Sequence, residues 1–306
     1  MVTGRRPVDN WILVRVAVID VGSNTVRLLV SERRNGRLAA IREARSLLLL
    51  GREVERQGAL SPAKLEETRR CTQRLAAAAR EAGAARIDVV VTAPGRQSAN
   101  ADELVRAIRD ATAAPVRVLS AEEEGRLAWD GAVWAAAELA PSVAVCDVGG
   151  GSTELLIGTP EIGPAWARSV DIGCLRLTER FLRNDPPSKP ELRALLAEVE
   201  DAFHELAIPL PQAALATGGT ARALKKLVGP RLGEDELTGA LRRLAKRSSR
   251  EIARSAGIDR ERARTLAAGA IILRQVQRTL RTPLAVSSAG LREGVALRLL
   301  EQAEAA

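Results

Sequence analysis

A 306-residue chain with 46 Lys and Arg against 38 Asp and Glu has a formal net charge of +8, and 46 % of its residues are hydrophobic; it is long enough for two domains of about 150 residues with well-buried cores. It holds no run of about 18 apolar residues to span a bilayer, no secretory leader pattern, and three scattered cysteines that fit neither a disulfide framework nor a zinc site, so a cytoplasmic, reduced setting is expected. The basic excess suits a polyanion, but 2 % aromatics, no tyrosine and no nucleic-acid-binding signature argue against nucleic acid, and no membrane partner is expected.

In chain order, residues 1–12 lack a hydrophobic period and read as a loose extension. Strands are predicted over 14–20, 26–32, 37–42 and 45–50. Ser61-Pro62 opens a helix that Gly83 closes, with proline early and glycine just past the end. "IDVVVTA" is a buried strand, and a helix runs over 98–113. In "VRVLSAEEEGRLAWDGAVWAA" a strand leads into a helix capped by Ser120, with Glu123 completing a capping box. The plan then repeats: strands over 143–147, 153–158 and 165–171, a helix from Gly173 and a turn at "NDPPS". A helix over 190–206, the strand "AALAT" and helices over 220–228, 235–247 and 259–281 follow, then a short strand "LAVSS" and a helix from Leu291.

Two stretches match more closely. "VAVIDVGSNTVRLLV" (16–30) and "VAVCDVGGGSTELLI" (143–157) align without a gap, 127 residues apart, with eight of fifteen positions identical. Each is a strand ending on an acid, a glycine turn and a second strand. A β-hairpin explains either copy. It does not explain the matched pair, which argues for two related halves that each present an acid and a loop to a shared cleft. Such halves describe an α/β fold of two actin-like ATPase (ribonuclease H-like) domains: an extension over 1–12, one domain over 13–125 and a second over 126–306, the last helix packing back on the first.

Four segments place glycine and small hydroxyl residues at strand-to-turn junctions: "DVGSNT" (20–25), "DVGGGST" (147–153), "TGGTAR" (217–222) and "SSAGLREG" (287–294). Successive backbone N–H groups in such turns form nests for phosphate oxygens, and "TGGTAR" adds a helix N-terminus. The candidate phosphate contacts are Gly22, Ser23, Asn24 and Thr25 in the first loop and Gly149, Gly150, Gly151, Ser152 and Thr153 in the second. Gly218, Gly219 and Thr220 in the third and Arg292 in the fourth complete them. Asp20 and Asp147 suit a divalent cation held among phosphate oxygens.

Other phosphate chemistries fall away. No Gly-Lys dipeptide exists for a P-loop, and the lone His204 has no partner in view. Cys174 and Arg180 have the Cys-x5-Arg spacing, but "CLRLTER" lacks the glycines such a loop needs. Direct attack on a metal-bound phosphoryl group remains, by water or a substrate hydroxyl. Water needs a carboxylate to orient it, from Glu122, Glu123, Glu124 or Glu154, although acids in a first helical turn also serve the cap and the dipole.

With these motifs the chain resembles the exopolyphosphatase/guanosine pentaphosphate phosphohydrolase family. "AVIDVGSNTVRLLV", "LGREVERQGALS", "VTAPGRQSAN", "EEEGRLAWDGAV", "CDVGGGSTELLIG", "DIGCLRLTERFLRNDPPS", "ATGGTARAL" and "SAGLREGVAL" occur in family order over about residues 14–300, as in its short two-domain form. The resemblance implies a basic cleft and magnesium-dependent removal of the terminal phosphate from inorganic polyphosphate, with guanosine pentaphosphate as the alternative substrate. Another divalent cation, or potassium beside it, is an alternative cofactor, and a homodimer is expected. The resemblance also places the catalytic glutamates on Glu124 and Glu154, the motif's aspartate on Asp147, and a phosphate-contacting arginine on Arg96. Glu154 joins Asp20 and Asp147 as a candidate metal ligand. Pro94-Gly95 beside Arg96, and the absence of a basic residue before Leu50-Gly51, depart from the family pattern. A guanosine-polyphosphate sensor with little turnover and an actin-fold kinase are the rival readings from other classes.

Overall fold

A computed structural model describes residues 14–305; the expected extension over 1–12 lies outside them. The first half runs β1 (Arg15–Val21), β2 (Thr25–Arg34), β3 (Arg37–Leu47), α1 (Leu50–Gln57), α2 (Pro62–Glu81), β4 (Arg86–Val91), α3 (Ala93–Gln97), α4 (Ala101–Thr112), β5 (Val116–Val118) and α5 (Ala121–Ala135). The second runs β6 (Val143–Val148), β7 (Thr153–Thr159), β8 (Gly163–Val170), α6 (Cys174–Phe181), α7 (Lys189–His204), β9 (Ala213–Thr217), α8 (Gly218–Val228), β10 (Arg231–Leu232) and α9 (Glu234–Leu244). It closes with α10 (Ser249–Ala256), α11 (Arg260–Arg264), α12 (Leu266–Leu280), β11 (Leu284–Val286) and α13 (Leu291–Glu304).

The strands form two sheets, β3-β2-β1-β4-β5 and β10-β11-β9-β6-β7-β8. In each, a three-stranded antiparallel meander is extended by parallel strands on the side of its first strand. β6, β7, β8, β9 and β11 thus repeat β1 to β5, with β10 added at the edge. This is the actin-like α/β plan that the sequence repeat implied. The register repeats too: Asp20 lies opposite Arg27 in the first hairpin, and Asp147 opposite Glu154 in the second.

Helix α5 ties the sheets together. Its Leu127 joins the cluster of Val16, Val18, Leu29, Val295 and Leu299, whereas Trp129 and Ala132 join Val143, Val145 and Leu156. It runs unbroken through residues 125 and 126, where the sequence reading divides the chain. The last helix, α13, packs on the first sheet, so its N-terminal end reaches the region between the sheets.

Two stretches differ from expectation. Residues 37–47 form one strand, and Leu50 starts a helix rather than ending a strand. Leu49 adopts a left-handed conformation (φ 55°), and the amides of Leu48 and Leu49 both donate to the Asn24 carbonyl, which turns the chain so that Leu50 and Val54 bury one helical face. The helix expected over 259–281 breaks at Thr265, whose hydroxyl donates to the Arg262 carbonyl, and a separate helix, α10, precedes it with its own capping box from Ser248 and Glu251.

Candidate active site

The turns of the two hairpins face each other. A Cβ on Gly150 would lie 2.8 Å from the Ser23 Cβ, and one on Gly151 2.9 Å from the Ala93 Cβ, so any side chain there would push the halves apart. Gly218 is required on two counts: its φ is +83°, and a Cβ would overlap the Asp147 carboxylate. Between the turns lies a cavity of about 90 Å³ lined by Asp20, Asp147, Glu124, Arg27, Arg222 and Arg292, with Arg262 and Glu293 beside them.

The amides of Gly22 and Gly149 close their own turns onto the Thr25 and Ser152 carbonyls. Those of Ser23, Asn24, Gly150 and Gly151, four residues of the cavity wall, have no backbone acceptor among the described residues. Two expected loop contacts are corrected, and Arg96 and Glu154 are not among the cavity-lining residues either. Thr153 donates its hydroxyl to the Ile172 carbonyl and Thr220 to the Val148 carbonyl; both are buried and hold the fold rather than line the cavity. Ser23, Asn24, Thr25, Ser152, Gly218 and Gly219 do line it. Arg292 does as well, although it donates to the Leu28 carbonyl and to Glu43.

The three glutamates at the start of α5 part company. Glu123 completes the capping box with Ser120, and Glu122 pairs with Arg126 on the exposed face. Glu124, three and four residues before buried Leu127 and Ala128, turns inward and is 8 % exposed. Arg96 holds it: one guanidinium nitrogen donates to Glu124 at 2.8 Å and to the Leu119 carbonyl, while the other reaches Ser152 at 3.5 Å. Glu154, 1 % exposed, accepts from the Ser169 hydroxyl at 2.9 Å, and its second carboxylate oxygen is buried without a partner. Cys174 is buried and His204 exposed, so neither serves as a nucleophile here.

Burial sets the charge state of these acids. It lifts Glu154 to about 7, helped by the negative charge of Asp147, and lifts Glu124 well above the usual carboxylate range, helped by Glu154. It lifts Asp20 to about 6 against the pull of Arg27 and Arg292, and raises Asp147 as well. Burial likewise drives Arg27 down to about 9, with Arg222 and Arg292 adding repulsion. The site therefore gathers buried charge of both signs, as a site built for an anion and its counter-cation would.

Acids raised in the folded state contribute stability that is complete below about pH 4, their unfolded range, and lost as the pH climbs through about 6 to 7. The ligand-free protein should melt several degrees lower at about pH 8 than at about pH 5. Glu154→Gln, neutral at every pH, should flatten part of that slope. Thermal scans across this range test it; parallel curves for the two proteins would refute the burial account.

Sequence reasoning missed Arg27, Arg222 and Arg262. Arg27 had a usable signal, since it occupies in the first repeat the position that Glu154 occupies in the second. Among the described residues no group of three or more His, Cys, Asp or Glu gathers as a ready-made metal site. The Asp20 and Asp147 carboxylates nevertheless fit magnesium. They are hard oxygen donors on one cavity, neither forms an ion pair with a described residue, and magnesium commonly binds through one or two carboxylates plus substrate phosphates.

The family model of the Ppx/GppA phosphatases matches residues 29–303. The chain belongs to the Ppx/GppA phosphatase family. It is 29 % identical to Exopolyphosphatase 2 of Mycobacterium tuberculosis over 317 aligned positions, covering 94 % of this chain and 99 % of that one. It is 30 % identical to Exopolyphosphatase 1 of Mycobacterium bovis, covering 94 % and 89 %. A solved structure of the Ppx/GppA enzyme of Aquifex aeolicus, 28 % identical, superposes with a TM-score of 0.78 over 94 % of this chain and 99 % of its own. Ppx/GppA membership agrees with the motif order along the chain. No helix of the described residues is long and apolar enough to cross a membrane.

Proposed function

We propose that this phosphatase is an exopolyphosphatase: it hydrolyses the terminal phosphoanhydride of inorganic polyphosphate and releases orthophosphate. The observation that carries the reading is a small arginine-lined cavity with buried Glu124 in its wall and buried Glu154 on the strand that leaves its second loop. Pockets for drug-sized ligands are about 300 Å³ or more, so a cavity of about 90 Å³ takes the phosphate end of a substrate, which polyphosphate and guanosine pentaphosphate both present. The Mycobacterium relatives named as exopolyphosphatases favour polyphosphate.

The terminal phosphate enters between the two turns, its oxygens taken by the free amides of Ser23, Asn24, Gly150 and Gly151. Arg27, Arg222 and Arg292 meet the next phosphates. Asp20 and Asp147 would hold magnesium, which when bound neutralises charge on the phosphate oxygens. Glu124, steadied by Arg96, and Glu154, steadied by Ser169, orient one water molecule toward the terminal phosphorus. Water oxygen bonds to phosphorus as the bridging P–O bond breaks; the electron pair leaves on the penultimate phosphate, and the water proton passes to the glutamate pair. A base near 7 suits that task at neutral pH. Three buried, free cysteines suit a reducing cytoplasm.

The test is competition between long-chain polyphosphate and guanosine pentaphosphate at low and physiological salt. Polyphosphate should have the higher kcat/KM, with binding that weakens steeply as salt rises. A far higher kcat/KM for guanosine pentaphosphate at both salts would reverse the assignment. Binding of either without phosphate release would mark a sensor, and release only with an acceptor alcohol a kinase.

A further inference from the structure

We propose that the exposed surface formed by Arg250 and Arg254 of α10, with Arg247 just before the helix, is an exosite for the part of a phosphate chain that lies outside the cavity. This rests on the polyphosphate reading above.

The charge of the chain is unevenly placed. Residues 218–281 hold 16 Lys and Arg against 6 Asp and Glu, an excess of ten, while the whole chain carries +8. The basic excess therefore belongs to the helices α8 to α12, and the rest of the molecule is slightly acidic. Within that segment Arg250 and Arg254, four residues apart, share one side of α10, and Arg247 lies just before its N-cap Ser248. All three are exposed. Some surface arginines on other helices are paired, Arg69 and Arg70 with Glu66, Arg278 with Glu234 and Arg298 with Asp130, whereas Arg74, Arg106, Arg109, Arg193 and Arg242 are exposed without an acidic partner among the described residues. None of Arg247, Arg250 and Arg254 has such a partner among the described residues. The acid between them, Glu251, accepts from the amide and hydroxyl of Ser248 as a helix cap.

The buried side of α10 leads toward the cavity: Arg260 donates at 3.4 Å to the hydroxyl of buried Ser249, which itself bonds Asp185, and two residues further Arg262 lines the cavity. On the facing side Arg45, the cross-strand neighbour of cavity-lining Arg27, reaches Asp259 at 2.7 Å. Cations thus run from Arg222 and Arg27 inside, past Arg262 at the wall, to Arg260 and the Asp259-paired Arg45 at the rim, and α10 with its exposed arginines adjoins Arg260 through Ser249. A cavity of about 90 Å³ holds only the end of a chain. The emerging polyanion, charged at every unit, meets unpaired arginines and releases its counterions to them.

The triple variant Arg247→Gln, Arg250→Gln, Arg254→Gln tests the site, with its melting temperature checked against wild type. Binding of labelled long-chain polyphosphate is measured over a salt series, together with hydrolysis of long-chain polyphosphate and of tripolyphosphate. Long-chain affinity should fall about tenfold or more at low salt, and the slope of log K against log salt by about two to three. Tripolyphosphate hydrolysis and kcat on the long chain should not change. Wild-type affinity and slope in the variant would overturn the exosite. If the wild-type protein hydrolyses no polyphosphate, the functional reading fails, and the binding series still decides the exosite. A single-stranded RNA run in the same assay separates the other polyanion: loss of RNA binding with polyphosphate binding intact would assign the face to nucleic acid and overturn the proposal.

Discussion

Glutamine in place of Glu154 should lower polyphosphate turnover about 10²-fold or more while leaving substrate affinity nearly unchanged. The amide keeps the shape of the carboxylate and can still accept the Ser169 hydroxyl bond. It cannot take a proton, and it removes the negative charge that helps to raise Glu124. Glu124→Gln should fall as far, for the complementary reason that the water loses one of two acceptors and Arg96 loses its anionic partner. The double variant should cost little more than either single one, because in this reading the two groups act on the same water molecule. Glu122→Gln, exposed and paired with Arg126, should lose almost nothing. Single-turnover phosphate release and equilibrium binding on the same preparations separate the two effects. Near-wild-type turnover in both single variants would remove the glutamates from the chemistry.

Much of this site could be read from the chain because it is built on a repeat. The acid, the glycine turn and the strand after it are local features, and two aligned copies fix their strand register as well as their order. Glu124 was harder: its helix begins with three glutamates, and only the spacing to Leu127 and Ala128 tells which one turns inward. Loop hydroxyls were overcounted because a serine or threonine in a glycine turn has two uses. Thr153 and Thr220 spend theirs on carbonyls 19 and 72 residues away in the chain, which local sequence does not reveal. The missed cations arise in the same way. Arg27, Arg222 and Arg262 come from three segments that only the fold brings to one cavity. The strand expected to run to residue 50 failed because the Asn24 carbonyl, far away in sequence, captures two leucine amides and turns the chain.

Alanine in place of Gly294 should destabilise the protein more than any other single methyl added to a helix here. Helices α5 and α13 cross with their backbones in contact: a Cβ on Gly294 would overlap the Leu127 carbonyl, and one on Gly131 would overlap the Gly290 carbonyl. The obstructing atoms are main chain inside helices, so no rotamer change relieves the clash, and α13 must move outward. Doing so loosens Leu291, Val295, Leu299 and Leu300 from the first sheet. Overpacking of this kind costs about 3 kcal/mol or more, a fall of roughly 10 °C in melting temperature. Gly239→Ala in α9 is the control, since nothing lies within 4 Å of its Cβ. Removing a helical glycine there should stabilise by about 0.5 to 1 kcal/mol. The crossing also sets the site, because α5 carries Glu124 and the first turn of α13 carries Arg292 and Glu293 to the cavity. The folded fraction of Gly294→Ala should therefore show both a lower kcat and a higher KM. A Gly294→Ala protein that melts with wild type and turns over normally would show that the two helices do not meet through these glycines.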